Sequence, residues 1–230
     1  MRIDVFPDVQ TAARAAAGFI AADARRSVET HGRFVVALSG GNTPWKMLHA
    51  LAREAVPWDG LHILQVDERV APAGDATRNL VQIQECLLKN TPMPEQQIYA
   101  MAVEDDQLDV AAASYAETLR RLAGSPPVLD LVHLGLGADG HTASLVPGDP
   151  ALDVKDVNVA VTGPYQGRRR LTLTYPVLNR ARKRLWLVTG EGKGEALRRL
   201  QRADPNIPAS RVNRQDTLVF ADRAAMDQTS

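Results

Sequence analysis

One histidine of this chain stands in a glycine-rich loop at the end of an apolar run, Leu134-Gly135-Leu136-Gly137-Ala138-Asp139-Gly140-His141-Thr142-Ala143-Ser144-Leu145. An imidazole exchanges a proton near neutral pH. Glycine admits backbone conformations and close ligand approach that a Cβ would block. A strand ending in such a loop can press its backbone against a substrate and hold a base beside it. Asp139 lies two residues before the ring. Taken alone, His141 also fits the capping of a short helix, so the rest of the chain must supply a substrate.

Four further clusters bear on that. Ser39-Gly40-Gly41-Asn42-Thr43 falls between an expected strand and an expected helix, where unpaired amides and the helix dipole favour an anion. Ser39 and Thr43 add hydroxyls. The segment lacks the Gly-Lys-Ser/Thr of a Walker loop, the Gly-x-Gly-x-x-Gly of dinucleotide binders and the Gly-x-Ser-x-Gly of a nucleophile elbow. It reads equally as a tight turn with a helix cap. Asp67-Glu68-Arg69 follows a strand and Thr77-Arg78-Asn79 opens a helix. Arginine suits phosphate, and carboxylates suit sugar hydroxyls or the orienting of an imidazole. A surface ion-pair cluster is the alternative. Arg168-Arg169-Arg170 leads into a strand whose alternation sends these side chains to opposite faces. Lys193, in Gly190-Glu191-Gly192-Lys193-Gly194, can reach a phosphate as a point charge. The five histidines form no metal-ligand spacing with each other or with Cys86, so no metal is expected. Cys86 lies in a helical apolar pattern and is expected to be a buried thiol.

The elements that must position these groups alternate. Helices are expected at 9–30, at 44–51 with Asn42 or Thr43 as cap and Pro44 as first residue, and at 77–88, 110–122 and 193–201. Strands are expected at 33–38, 61–66, 98–101, 129–136, 157–161, 170–174, 185–189 and 217–221. The fold class is therefore α/β: a modified Rossmann-like, mostly parallel sheet with helices on both faces, in a single domain over 1–230. Ligands of such sheets bind at the carboxyl ends of the strands, near a reversal of strand order. The loops after Leu38, Val66, Leu136 and Thr189 all fall there.

Composition narrows the function class. Lys+Arg and Asp+Glu are equal at 27 each, so no overall field draws the chain to nucleic acid or an anionic membrane. The arginine run lacks interleaved aromatics for stacking bases. No stretch approaches the roughly 20 apolar residues of a membrane span. The first eight residues lack a signal-peptide layout, so a cytoplasmic location is the default expectation.

Together these segments resemble the 6-phosphogluconolactonase family, within the glucosamine-6-phosphate isomerase/6-phosphogluconolactonase superfamily. The resemblance rests on Ala37-Leu38-Ser39-Gly40-Gly41-Asn42-Thr43-Pro44, Val66-Asp67-Glu68-Arg69-Val70 and the Gly135 to Leu145 block, which is the most specific. It extends to Leu171-Thr172-Leu173-Thr174, Thr189-Gly190-Glu191-Gly192-Lys193 and Pro208-Ala209-Ser210, in matching order along nearly the whole chain. Val146 stands where the family commonly has phenylalanine, a change of packing only.

The resemblance implies hydrolysis of 6-phospho-D-glucono-1,5-lactone to 6-phosphogluconate, a step of the oxidative pentose phosphate pathway. His141 would be the general base, oriented by Asp139 or Asp67. Ser39, Gly40, Gly41, Asn42, Thr43, Arg69, Arg78, Arg170 and Lys193 would hold the phosphate. The implied partner is a small sugar-phosphate lactone, with no cofactor, no nucleic acid and no membrane; the chain would be a monomer or small homo-oligomer.

The sister activity deaminates an amino-sugar phosphate, and its branch carries Asp-Glu-Tyr and a glutamate-bearing continuation after the histidine. Here Arg69 replaces that tyrosine, and Thr142-Ala143-Ser144-Leu145 has no glutamate. A non-catalytic sugar-phosphate sensor is the other alternative. It needs a DNA-binding unit, and residues 1–32, ahead of the first core strand, show no helix-turn-helix.

Overall fold

The computed structural model describes residues 1–104 and 106–227. In chain order its elements are β1 (Arg2–Phe6), α1 (Val9–His31), β2 (Phe34–Leu38), α2 (Asn42–Leu51), β3 (Leu61–Gln65), β4 (Asp67–Arg69) and α3 (Asn79–Ile83), which continues as one π-turn over Gln84–Leu88. There follow β5 (Ile98–Tyr99), α4 (Leu108–Ala123), β6 (Leu131–Leu134), β7 (Val159–Val161), β8 (Arg170–Leu173) and α5 (Tyr175–Arg180). β9 (Lys183–Val188), α6 (Gly194–Gln201), β10 (Thr217–Asp222) and α7 (Arg223–Met226) complete the fold.

Seven strands form one parallel sheet in the order β1-β10-β9-β6-β2-β3-β5. β2 is buried along its whole length, which is why its sequence reads Phe-Val-Val-Ala-Leu without polar alternation. Phe34, Val36 and Leu38 enter the apolar cluster built with α1, α2 and α3, whereas Val35 and Ala37 enter the one built with α4, α5 and α6. Helices thus cover both faces, as the sequence pattern predicts. α1 presents Ala12, Ala13, Ala16, Ala17, Ile20, Ala21 and Ala24 inward, and these small side chains let it lie close on the sheet. Among the described residues no helix is long and apolar enough to cross a membrane.

Strand order reverses between β2 and β6. From β2 the chain steps outward to β3 and β5; from β6 it steps the other way to β9 and β10. The loops after β2 and β6 diverge there, and the crevice between them is where a ligand fits.

Three features depart from the sequence reading. Arg2–Phe6 forms an edge strand parallel to β10, although these residues gave no strand pattern. More consequentially, Asp67–Arg69 is itself a strand: it pairs antiparallel with β8, and β8 with β7, in a separate three-stranded sheet. In that ladder Arg69 stands directly opposite Arg170. The start of α2 also differs. Its cap is Gly41, with φ of 123°, and no side chain caps it; Asn42 and Thr43 lie inside the first turn. Only glycine adopts that φ without strain. Pro44 is tolerated there because a first-turn amide has no intrahelical partner to lose.

Candidate active site

The cleft at the strand-order reversal encloses about 180 Å³. One wall comes from the carboxyl edge of the parallel sheet: Ser39 and Gly40 after β2, Gly135, Leu136, Gly137, His141 and Ala143 after β6, and Lys193 before α6. The opposite wall comes from the small sheet and its neighbour: Asp67 and Arg69 on β4, Arg170 on β8, and Asn79 at the start of α3.

The loop after β6 is closed by its own backbone, Gly137 N–H donating to His141 O (2.8 Å) and Gly140 N–H to Gly137 O (3.0 Å). This brings His141 back over Gly137. A methyl group at Gly137 would collide with the His141 ring and with the Asp139 carboxylate. Asp139 Oδ1 lies 2.6 Å from His141 Nδ1 and accepts from the His141 backbone N–H at 3.1 Å. Nδ1 is thereby engaged as donor, and Nε2 is the ring nitrogen left to exchange a proton. Partial burial works to raise the Asp139 carboxyl. The His141 amide and ring and the Tyr165 hydroxyl outweigh it and hold the carboxyl below its ordinary value.

Of the two carboxylates expected near the ring, Asp139 is the one that meets it. Asp67 instead accepts from Ser144 Oγ at 2.5 Å, which ties the histidine loop to the small sheet. Ser144 N–H reaches Thr172 Oγ1 at 3.2 Å in the same sense.

Three cations face the cleft. Arg170 is nearly fully buried, its Nε without a hydrogen-bond partner among the described residues, and burial lowers its pKa. Arg69 is held by the Thr77 carbonyl (2.5 Å) and Asn79 Oδ1 (3.3 Å). Lys193 is half-buried; desolvation lowers its pKa and the negative charge of Asp139 opposes that. Ser39 Oγ is buried on the cleft wall and has no hydrogen-bond partner among the described residues.

Arg78 stands apart from the cleft lining. Expected at the phosphate, it lies inside the protein at 2 % exposure, paired with Glu68 at 3.7 Å and with Glu104. Its position follows from Glu68, a fully buried carboxylate that accepts from Gln65 Nε2 (2.7 Å) and the amides of Arg69 (2.8 Å), Asn79 (2.9 Å) and Leu80 (2.9 Å). That carboxylate satisfies the first amides of α3 and so fixes Asn79 at the cleft. Gly41, Asn42 and Thr43 also stand outside the cleft lining. Thr43 Oγ1 instead lies 2.6 Å from Thr189 Oγ1, joining the loops that follow β2 and β9.

Sequence reasoning missed Tyr165. Its hydroxyl donates to Asp139 Oδ2 (3.2 Å), its ring meets His141 edge-on (centroids 5.4 Å apart), and Arg170 Cζ stacks 4.9 Å from the ring centre. Only the turn-like string Tyr165-Gln166-Gly167-Arg168 before a strand hinted at it, and a turn gives no sign of which way its first residue points.

The chain matches the description "Glucosamine-6-phosphate isomerases/6-phosphogluconolactonase" over residues 7–220. It is 38% identical over 202 residues to a 6-phosphogluconolactonase of Synechocystis sp., covering 85% of this chain and 84% of that one. A 6-phosphogluconolactonase of Mycobacterium tuberculosis is 36% identical over 237 residues, covering 97% and 96%. The crystal structure of 6-phosphogluconolactonase from Thermotoga maritima superposes with a TM-score of 0.86 at 26% identity, covering 96% of this chain and 98% of that one. Sequence and backbone agree over almost the whole length, and the chain belongs to the glucosamine-6-phosphate isomerase/6-phosphogluconolactonase family.

Proposed function

We propose that this chain hydrolyses 6-phospho-D-glucono-1,5-lactone to 6-phosphogluconate, with His141 as general base. The observation that carries the reading is the placement of the Asp139–His141 pair and of Arg69, Arg170 and Lys193 around one small cleft. A phosphate dianion answers the three cations, and a lactone ring answers the base. A δ-lactone is an activated ester, so a positioned water and one base suffice to open it without a covalent serine.

In this mechanism His141 Nε2 accepts a proton from water as its oxygen attacks C1. Asp139 holds the ring in the tautomer that leaves Nε2 unprotonated and balances the imidazolium that forms. Donors on the cleft wall stabilise the C1 oxyanion. The Gly137 amide is not among them, because it is bonded to His141 O. As the tetrahedral intermediate collapses, the bond from C1 to the ring oxygen breaks and the proton passes from Nε2 to that oxygen. The phosphate lies against the cations and the free Ser39 hydroxyl, and binding it fixes C1 relative to the base.

The test is parallel assay with 6-phosphogluconolactone and with glucosamine 6-phosphate. Accelerated acid release from the first, lost in His141→Asn, is the expected result. Ammonia release from the second, with no effect on the lactone, would overturn the reading.

A further inference from the structure

Tyr165 occupies the tip of the β7–β8 hairpin, where Gln166 (φ 52°) and Gly167 (φ 78°) turn the chain. The turn is closed by Tyr165 N–H to Arg168 O at 3.0 Å and Arg168 N–H to Tyr165 O at 3.3 Å. Arg168 is itself moored to Asp75 (3.1 Å) and Thr77 Oγ1 (3.2 Å), so the hairpin tip is fixed from outside the cleft. Tyr165 therefore reaches the site from a braced position, and it reaches two things at once. Its hydroxyl takes the Asp139 oxygen that His141 does not use, and its ring face carries the Arg170 guanidinium.

We propose that Tyr165 is a positioning residue with two separable effects: the hydroxyl fixes the Asp139 carboxylate against His141, and the ring sets the guanidinium of Arg170 at the cleft. The inference rests on the lactonase reading above. Asp139 accepts from His141 on Oδ1 and from Tyr165 on Oδ2, so each carboxylate oxygen has a protein donor. A carboxylate held from both sides cannot rotate away from the imidazole it orients. The other charges around this cluster are Lys193, which acts on Asp139, and Arg170, which acts on Tyr165. Stacking on the ring covers one face of the guanidinium and leaves its edge for an anion.

Tyr165→Phe removes the hydroxyl and keeps the ring; Tyr165→Leu removes both. In Tyr165→Phe, kcat falls about 3–10-fold, the worth of one net hydrogen bond, while KM stays within about twofold. In Tyr165→Leu, KM rises in addition by about 5–30-fold, the worth of a desolvated cation–π contact. The carboxyl titration of Asp139, followed by NMR in the enzyme without substrate, moves upward in both variants.

A Tyr165→Phe enzyme with wild-type kcat and an unmoved Asp139 titration would overturn the proposal. So would a Tyr165→Leu enzyme whose KM matches that of Tyr165→Phe. The NMR titration needs no turnover: if the wild-type chain failed to open the lactone, the reaction would be wrong while the Tyr165–Asp139 link could still be read.

Discussion

Asp139 grips His141 at two points through a single oxygen, the ring nitrogen at 2.6 Å and the backbone nitrogen at 3.1 Å. The residue that holds the His141 ring thus also fixes the loop that carries it. Replacing Asp139 with Asn removes the charge that balances the imidazolium and lets the ring adopt the wrong tautomer. We expect kcat to fall by about 10²–10⁴ in Asp139→Asn and at least as far in His141→Asn. KM for the lactone stays within a few-fold in both. Steady-state kinetics on the two purified variants checks this; equal kcat in Asp139→Asn and wild type would remove Asp139 from the mechanism.

Gly137 gives a test in which no chemical group is deleted. A methyl there meets the His141 ring and the Asp139 carboxylate. Gly137→Ala is expected to lose about 10²-fold or more in kcat, the cost of a base displaced by about an ångström. Its melting temperature is expected to stay within a few degrees of wild type, since the added methyl lies at the edge of the cleft. Full activity in the folded variant would show that the ring need not lie where the structure has it.

In the proposed reading Lys193 bears on binding rather than on proton transfer. Lys193→Met is expected to raise KM by about 10–100-fold and to weaken competitive inhibition by inorganic phosphate to a similar degree, as for loss of one charge-assisted contact. The ratio of kcat in the two enzymes stays near one. Burial lowers the Lys193 pKa, so in wild type KM rises at alkaline pH, and in Lys193→Met that rise disappears. A variant that loses kcat while binding phosphate normally would move Lys193 into the chemistry.

His133 makes stability depend on pH away from the site. It is fully buried on β6, neither ring nitrogen has a hydrogen-bond partner among the described residues, and burial pushes it down to about 4 from a reference of 6.5. The folded protein therefore binds fewer protons here than the unfolded chain between those two values. Stability is intact above pH 6.5 and falls as pH drops through the window, by about 2 kcal/mol at pH 5. His62, lowered by the same cause, acts in the same direction. Urea midpoints at pH 7 and pH 5 measure the loss, and His133→Leu flattens it. An unchanged slope in that variant would assign the acid sensitivity elsewhere.

The parallel sheet was legible because burial on both faces writes itself as unbroken apolar runs, as in Phe34–Leu38. The Gly135 to His141 loop was legible for the opposite reason, three glycines where a strand should continue. What escaped was written in neither code. Asp67–Arg69 is a strand of three charged residues, held by pairing with β8 rather than by apolar alternation. Glu68 looked like one charge among three, but it is fully buried because four N–H donors converge on it. Arg78 followed it inward, which composition cannot announce. Tyr165 reaches Asp139 across 26 residues through a hairpin, and no local spacing encodes that distance.

Arg69 and Arg170 face each other across the antiparallel ladder. Like charges directly opposite on such a pair repel, and the positive charge of Arg69 adds to burial in holding the Arg170 pKa below its ordinary value. Under the proposed lactonase reading, a phosphate dianion between the two guanidinium groups would turn that repulsion into a bridge between β4 and β8. Bound there, phosphate would fasten the small sheet like a clasp, and substrate binding would stiffen the wall that receives it.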